Sequence, residues 1–152
     1  MKRNLCAILF SIIALMPLSG GAAEKKPVSP EAGDRTNAQN YKDMVLAICL
    51  ADAYKDEAGA AKDIGSSVGA LRDWAYYDWE KSPEKVNSLV DKYLARNYFN
   101  PLIESEVKNV RFDFLKCLDL YHSKELDAQV KSVVINPKHT YRQDNPSLQK
   151  SN

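Results

Sequence analysis

The sequence predicts an all-α protein, a compact bundle of five or six helices with one disulfide. Three observations support this fold class. Apolar residues recur at intervals of three and four over much of residues 38–135, as on one face of a helix. The alternating pattern of half-buried strands is nearly absent, and no internal repeat is found. The residues Cys49 and Cys117 each fall on the apolar face of a predicted helix.

The first 23 residues have the layout of an export signal. Lys2 and Arg3 precede an apolar run at residues 5–18, which is too short to span a bilayer comfortably, and small residues follow at 19–23. We therefore expect residues 1–23 to be a cleaved signal, with a membrane anchor as the alternative. Cleavage would leave a periplasmic protein that does not associate with a membrane.

The charge of the remaining chain is nearly balanced. Lys2 and Arg3 lie in the predicted signal, so 19 of the 21 basic residues and all 20 acidic residues lie outside it. Nucleic-acid binding is not expected, because it would call for a strong basic excess.

Two cysteines remain after the predicted signal, which contains Cys6, is removed. Only the pairing of Cys49 with Cys117 is then possible, and the periplasm is an oxidising compartment. We expect a structural disulfide, which would stabilise the fold by about 4 kcal/mol in the chain-entropy model. Two buried free thiols and a redox pair are the alternatives, although the sequence has no C-x-x-C motif.

The first half of the chain predicts a flexible leader and two or three helices. Residues 24–37 are polar and contain two prolines, so we expect them to be flexible. A helix follows from near Asn37, and because residues 44–51 are apolar on every side we expect it to be central. The next segment, residues 57–79, predicts a short helix, a break near Gly65 and a second helix through Trp79.

Capping signals divide the second half of the chain. Ser82 followed by Pro83 predicts a helix start, and Asn100 followed by Pro101 predicts that this helix has ended. Residues 97–105 are thus expected to be a loop that carries apolar and aromatic side chains.

Two further helices are predicted after this loop. One spans residues 107–121, with Val107, Phe114 and Cys117 among the residues facing inward. Ser123 is expected to cap the other, which ends at Asn136. Residues 136–152 are expected to be a disordered tail.

No catalytic, metal or cofactor site is predicted. His122 sits at a helix end, where a cation is favourable without any catalytic role, and His139 lies in the predicted tail, where no rigid geometry would hold it. No H-x-x-x-H motif, acidic metal cluster or P-loop is present. These features favour a binding module over an enzyme.

Two sequence runs carry a family resemblance. NYKDMVLAICLADAYK at residues 40–55 and KCLDLYHSKEL at residues 116–126 resemble immunity proteins of type VI secretion amidase effectors, specifically their fourth family. The resemblance implies a periplasmic, all-helical, dimeric antitoxin that binds a cognate peptidoglycan amidase with a papain-like cysteine active site. It also implies a two-to-two assembly, in which a helix of one subunit holds the effector and a loop of the other blocks its active site.

We assign these two roles to aromatic-rich segments. The holding helix is expected at residues 67–80, because aromatic side chains often anchor interfaces; its candidate residues are Asp73, Trp74, Tyr76, Tyr77 and Glu80. The inhibitory loop is expected to use Asn97, Tyr98, Phe99, Asn100 and Pro101. The alternatives are that these aromatics belong to the core, that the loop folds back on its own domain, or that the aromatic surface forms the homodimer contact.

Two other functions remain open at this stage. One is a periplasmic acid-stress holding chaperone, which would expose apolar surface at low pH and bind many clients. The other is a cell-wall enzyme that uses a carboxylate pair.

Overall fold

The computed structural model describes residues 28–146, and its regular structure is helical throughout that range, which confirms the all-α fold class. Five helices of nine or more residues form the bundle, and α4, α7 and a 3₁₀ helix, η1, are shorter. The bounds are η1 Glu31–Asp34, α1 Asn37–Ala53, α2 Ala58–Asp73, α3 Ser82–Leu94, α4 Pro101–Glu106, α5 Asp113–Tyr121, α6 Lys124–Val133 and α7 Tyr141–Asp144.

Helix α1 is central, as its apolar sequence predicts. The Thr36 side chain accepts a hydrogen bond from the Gln39 amide, and the Gln39 side chain accepts one from the Thr36 amide, so a capping box starts the helix. Tyr41, Met44 and Val45 are buried, and α1 packs against α2, α3, α5 and α6. Each of these four helices therefore covers a different side of α1.

The predicted disulfide is confirmed. Cys49 on α1 and Cys117 on α5 are fully buried, with a Cα–Cα distance of 5.7 Å. The bridge joins residues 68 positions apart in the sequence, so it constrains more than half of the residues that the structure describes. It holds α5 against the central helix at the depth of the core.

Helix α2 differs from its prediction in two ways. It is one continuous helix from Ala58 to Asp73, without the expected break near Gly65. A Cβ added at Gly65 would meet no atom within 4 Å, so this glycine lies on the open side of the helix and lowers only its intrinsic propensity. The helix also ends before Trp79, because the backbone of residues 76–78 pairs with the end of α6 instead. The Asp78 amide donates to the Val133 carbonyl at 2.8 Å.

The start of α5 was also predicted wrongly. The helix begins at Asp113, because Asn109 and Phe112 adopt left-handed backbone angles with φ of 61° and 56°, which a continuous right-handed helix does not allow. Val107 and Phe114 are exposed rather than inward, and the buried positions are Asp113, Lys116, Cys117 and Leu120. The buried face of α5 therefore differs from the predicted face, although Cys117 lies on both.

Of the two predicted caps, the one at the start of α6 is confirmed and the one at the start of α3 is not. The Ser123 hydroxyl accepts a hydrogen bond from the Leu126 amide at 3.0 Å and caps α6, as predicted. Ser82 is the first residue of α3 but makes no capping hydrogen bond. Its buried hydroxyl is 2.7 Å from the Tyr41 hydroxyl, so it ties α3 to the central helix.

The described parts of the expected leader and tail are ordered against each other. The Asn37 amide donates to the His139 carbonyl at 2.7 Å, and the Trp74 ring packs between Gly33 and Tyr141. A Cβ at Gly33 would lie 2.6 Å from Trp74, so only glycine allows this approach. The expected flexibility of residues 24–37 and disorder of residues 136–152 thus do not hold for η1 or for residues 136–146.

Two predictions from the sequence lie outside the described residues, namely the export signal at residues 1–23 and the end of the tail at 147–152. Within residues 28–146, no helix has both the length and the apolar character that crossing a membrane requires.

Removing the disulfide should destabilise the fold without changing its helical content. We expect the Cys49→Ala, Cys117→Ala double variant to lose about 4 kcal/mol of unfolding free energy, since the bridge closes a long loop in the unfolded chain. Urea denaturation followed by circular dichroism measures this loss. Dithiothreitol should lower the midpoint of the natural protein and leave that of the double variant unchanged. Equal midpoints for the oxidised protein and the double variant would contradict the prediction.

Candidate functional site

A run of highly exposed apolar residues lies between α3 and α5, on residues 97–107, which we call the 97–107 segment. Phe99 is 72% exposed, Leu102 79% and Val107 56%, and Ile103 is exposed as well. Helix α4, in the middle of the segment, makes no extensive contact with another helix of the described chain. Soluble proteins rarely leave such apolar side chains together in solvent unless the surface is used for binding.

The 97–107 segment is partly helical, which corrects the expectation of a loop over residues 97–105. The Asn100 side chain accepts hydrogen bonds from the Leu102 and Ile103 amides at 3.1 and 3.4 Å, and Pro101 occupies the first turn of α4. The Asn-Pro pair therefore starts a helix here, since asparagine is a strong N-cap and proline fits the first turn. Asn97 to Asn100 remain non-helical.

The first half of the segment is attached to the bundle by polar side chains. The Tyr98 hydroxyl donates to the Asp119 carboxylate on α5 at 2.5 Å and accepts from Arg96 Nη1 at 3.3 Å. The Arg96 guanidinium in turn lies 3.5 Å from the ring centre of the buried Tyr93 on α3. Tyr98 is thus half-buried, while its neighbours Asn97 and Phe99 are exposed.

The second half returns to α5 next to further apolar surface. Phe112 and Leu115 line a small cavity of about 310 Å³ together with Tyr98 and Phe99. Leu115 and its neighbour Phe114 are also substantially exposed. The apolar surface of the segment therefore continues onto the outer face of α5.

A buried ion pair connects the end of α3 to the start of α5, at the two ends of the chain between these helices. Lys116 is only 5% exposed, and its Nζ donates to the Leu94 carbonyl at 3.1 Å and to Asp113 Oδ1 at 2.9 Å. Arg111 Nε donates to the other oxygen of Asp113 at 2.7 Å. The last residue of α3 is thereby tied to the first residue of α5.

This pair was missed from the sequence, because the predicted helix face placed Lys116 outside. An acid and a base three residues apart on a helix were the available signal. Burial alone would raise the pKa of Asp113, but the hydrogen bonds and charges of Lys116 and Arg111 outweigh it and lower the pKa. The carboxylate is consequently charged and paired at neutral pH.

The residues assigned to a holding helix do not share one helix. Asp73 is the last residue of α2, and Trp74 to Glu80 lie in the non-helical segment before α3, because residues 76–78 pair with the end of α6. Tyr77 is in the core, 5.2 Å from the Tyr41 ring, and Trp74 is half-buried. For Tyr77 this position agrees with the alternative that the aromatics of this group belong to the core.

The exposed members of this group are Asp73, Tyr76 and Glu80. Trp79, which was not among the candidates, is 64% exposed and stacks on Tyr77 with ring centres 5.7 Å apart. We call residues 73–80 the aromatic segment.

The structure does not bring the two candidate segments together. The aromatic segment precedes the start of α3 and the 97–107 segment follows its end, and 13 helical residues span about 20 Å. One subunit therefore presents two separate surfaces.

Neither histidine forms a catalytic arrangement. His122 caps the end of α5 and contacts the ring of Tyr121. His139 Nδ1 lies 2.8 Å from Asp144, so a defined contact does hold it, contrary to expectation. Within the described range, no group of three or more histidine, cysteine or acidic side chains could hold a metal ion.

Comparison with known protein families identifies the fold as that of a defined family. The family model Tai4, described as type VI secretion system amidase immunity protein, matches residues 39–130, which is more than half of the chain. The chain belongs to this immunity family. The matched range includes both disulfide cysteines and the 97–107 segment.

A structural comparison agrees with this membership. A solved structure described as "New Type VI-secreted toxins and self-resistance proteins in Serratia marcescens" is similar with a TM-score of 0.70 at 29% identity, over 82% of this chain and 98% of that chain. A comparison with curated proteins gives no match. The resemblance seen in residues 40–55 and 116–126 is confirmed, and an immunity protein of this family has a toxic effector as its partner.

The buried ion pair should make the immunity protein's stability depend on pH. Because the folded pKa of Asp113 lies below the unfolded value of about 3.9, its stabilisation is complete above that value and is lost as pH falls through the folded pKa. We expect Asp113→Asn to cost about 3 kcal/mol at pH 7 and much less at pH 2.

Urea denaturation at both pH values measures this difference. Asp127→Asn is the control, because Asp127 forms an exposed pair with Lys42 and its loss should cost under about 1 kcal/mol. A cost for Asp113→Asn that is the same at both pH values would contradict the assignment.

Proposed function

We propose that this chain is a periplasmic immunity protein that binds a cognate type VI secreted peptidoglycan amidase and blocks its cysteine active site with the 97–107 segment. Family membership supports the class of protein and the class of target. The observation that carries the choice of segment is the exposure of Phe99, Leu102 and Val107, on and beside the short helix α4, which makes no extensive contact with another described helix.

The chemistry of the segment fits an enzyme cleft. Phe99, Leu102 and Ile103 would displace water from the cleft, and burial of apolar surface is the main favourable contribution to most protein–protein association. The Asn100 cap and Pro101 fix the backbone between Phe99 and Leu102 before binding. This reduces the conformational entropy lost on association. A blocking element needs this rigidity more than it needs charge.

The aromatic segment is the proposed holding surface. Asp73, Tyr76 and Glu80 would contact the effector together with Trp79, whereas Trp74 and Tyr77 would support them from behind. Because the two segments lie at opposite ends of α3, a homodimer could offer the aromatic segment of one subunit and the 97–107 segment of the other to each effector. A two-to-two complex is the assembly that we propose.

The remaining parts of the proposal concern compartment and chemistry. The disulfide supports an oxidising compartment such as the periplasm, which is also where peptidoglycan is found. Residues 1–23 would direct export and then be removed, leaving no membrane attachment. The protein would act by occupying its partner's site, without catalysis, a metal or a cofactor of its own.

Inhibition can be tested with purified components. The mature protein is added to peptidoglycan digested by the amidase encoded by the neighbouring gene, and released fragments are quantified. Cleavage should fall to near zero at equimolar inhibitor. Undiminished cleavage would overturn the proposal, and suppression of the aggregation of unrelated proteins at acid pH would then favour the holding chaperone.

A single charged substitution should separate binding from folding. We expect Leu102→Asp to weaken inhibition by about 100-fold or more, because it would place a carboxylate in a desolvated cleft. Its thermal midpoint should stay within about 2 °C of the natural value, since Leu102 is on the surface. Val28→Asp, at another highly exposed apolar position, is the matched control and should inhibit normally. Equal inhibition by both variants would exclude the 97–107 segment as the blocking element.

A further inference from the structure

We propose that Tyr98, Asp119 and Arg96 form a clamp that positions the 97–107 segment before the amidase binds. This inference rests on the proposed function, and it assigns these three side chains the role of positioning residues. In this role the Tyr98 hydroxyl hydrogen bonds to the bundle, and the apolar side chains that follow Tyr98 contact the partner.

The clamp is anchored to two rigid helices. Asp119 lies two residues after Cys117, so the disulfide fixes the helix that carries the acceptor. Arg96 donates to the same hydroxyl while its guanidinium rests on the ring of Tyr93, which is buried in the last full turn of α3. The hydroxyl therefore connects the segment to α3 and α5 at once.

Little else restrains this part of the chain. Within the described residues, the backbone amides of 97–100 donate to no backbone carbonyl, and Asn97, Phe99 and Asn100 are exposed. Tyr98 is the half-buried residue of these four and the one whose side chain hydrogen bonds to α5. Loss of its hydroxyl would leave the backbone of residues 97–100 without its polar attachment.

The protonation of the clamp suits this role. The hydrogen bond to Asp119 raises the pKa of Tyr98 above its usual value, and burial adds to this, while Arg96 opposes it. The hydroxyl is therefore protonated and able to donate at neutral pH. The segment is thus held in one orientation, and less conformational entropy is lost when it enters a cleft.

The decisive experiment compares Tyr98→Phe, Asp119→Ala and their double variant with Tyr121→Phe. Tyr121 is the matched control, because its hydroxyl also donates to an aspartate, Asp43, at 3.2 Å, and it also lies on α5. Affinity for the amidase encoded by the neighbouring gene is measured by calorimetry. Hydrogen exchange of residues 97–103 is measured separately in the free protein.

Each clamp variant should lose about ten-fold in affinity, and the double variant should lose no more than either single variant, because both remove one shared interaction. Exchange of the Leu102 and Ile103 amides, which donate to the Asn100 side chain, should rise in the free clamp variants, while exchange in α1 and the thermal midpoint stay unchanged. Tyr121→Phe should change neither the affinity nor the exchange of this segment.

Unchanged exchange in free Tyr98→Phe would overturn the clamp, even if affinity fell, since Tyr98 would then act by direct contact. Unchanged affinity with raised exchange would overturn its positioning role. Failure of the natural protein to bind the amidase would instead reject the proposed function, and the exchange measurement would still test the clamp.

Discussion

The buried disulfide between Cys49 and Cys117 is the constraint on which the candidate site depends. It fixes α5 against the central helix at a depth where both sulfurs are excluded from water. The side chains on either side of Cys117 then point in different directions, since successive helical residues are about 100° apart. Lys116 reaches the end of α3, and Asp119 reaches Tyr98 at the base of the 97–107 segment. One covalent bond in the core thus sets the position of a surface element that has little packing of its own.

The exposed side chains and the backbone geometry of the 97–107 segment and of its return to α5 are unfavourable in free energy for an isolated subunit. It exposes Phe99 and Leu102, and its return path requires left-handed backbone angles at Asn109 and Phe112, a conformation that is rare for a bulky aromatic residue. Such a conformation persists only when the surroundings enforce it, and it is often found at functional sites. The ion pair of Lys116 with Asp113 lies next to Phe112, and the hydrogen bond of Tyr98 holds the other end of the chain between α3 and α5. The stable core thus holds in place an element whose apolar surface is suited to a partner.

Sequence reasoning succeeded where local signals and burial agree. The central position of α1, the disulfide and the Ser123 cap all follow from patterns within one helix or from the cysteine count. It failed where distant backbone segments decide the outcome. Helix α2 stops at Asp73 because the following residues pair with the end of α6, and no signal in residues 57–79 indicates that pairing. Helix α5 was predicted to start too early because nothing in the sequence marks the left-handed backbone at Asn109 and Phe112.

Both candidate segments differ in structure from what the sequence predicted, and their roles in binding remain proposals. The aromatic run was expected on a helix, yet it lies on a non-helical backbone, with Tyr77 buried and Trp79 exposed. Asn100 and Pro101 were interpreted as a helix stop, and they are also a helix start, since the same pair can serve both purposes. Composition therefore indicated which segments to consider, and the tertiary fold determined which of their side chains are exposed.

Helix α3 fixes the distance between the two surfaces. At its start, the Ser82 hydroxyl contacts Tyr41, which also accepts a hydrogen bond from Gln129, so this end is held by a buried network that reaches α1 and α6. At its other end, Lys116 binds the Leu94 carbonyl. Neither end can move without breaking buried polar contacts, whose loss is expensive because no water replaces them. A partner that contacts the aromatic segment of one subunit and the 97–107 segment of another would thus meet two surfaces, each in a defined place relative to the core. In such an arrangement, specificity comes from matching the spacing of two rigid surfaces, in addition to the chemistry of either surface alone.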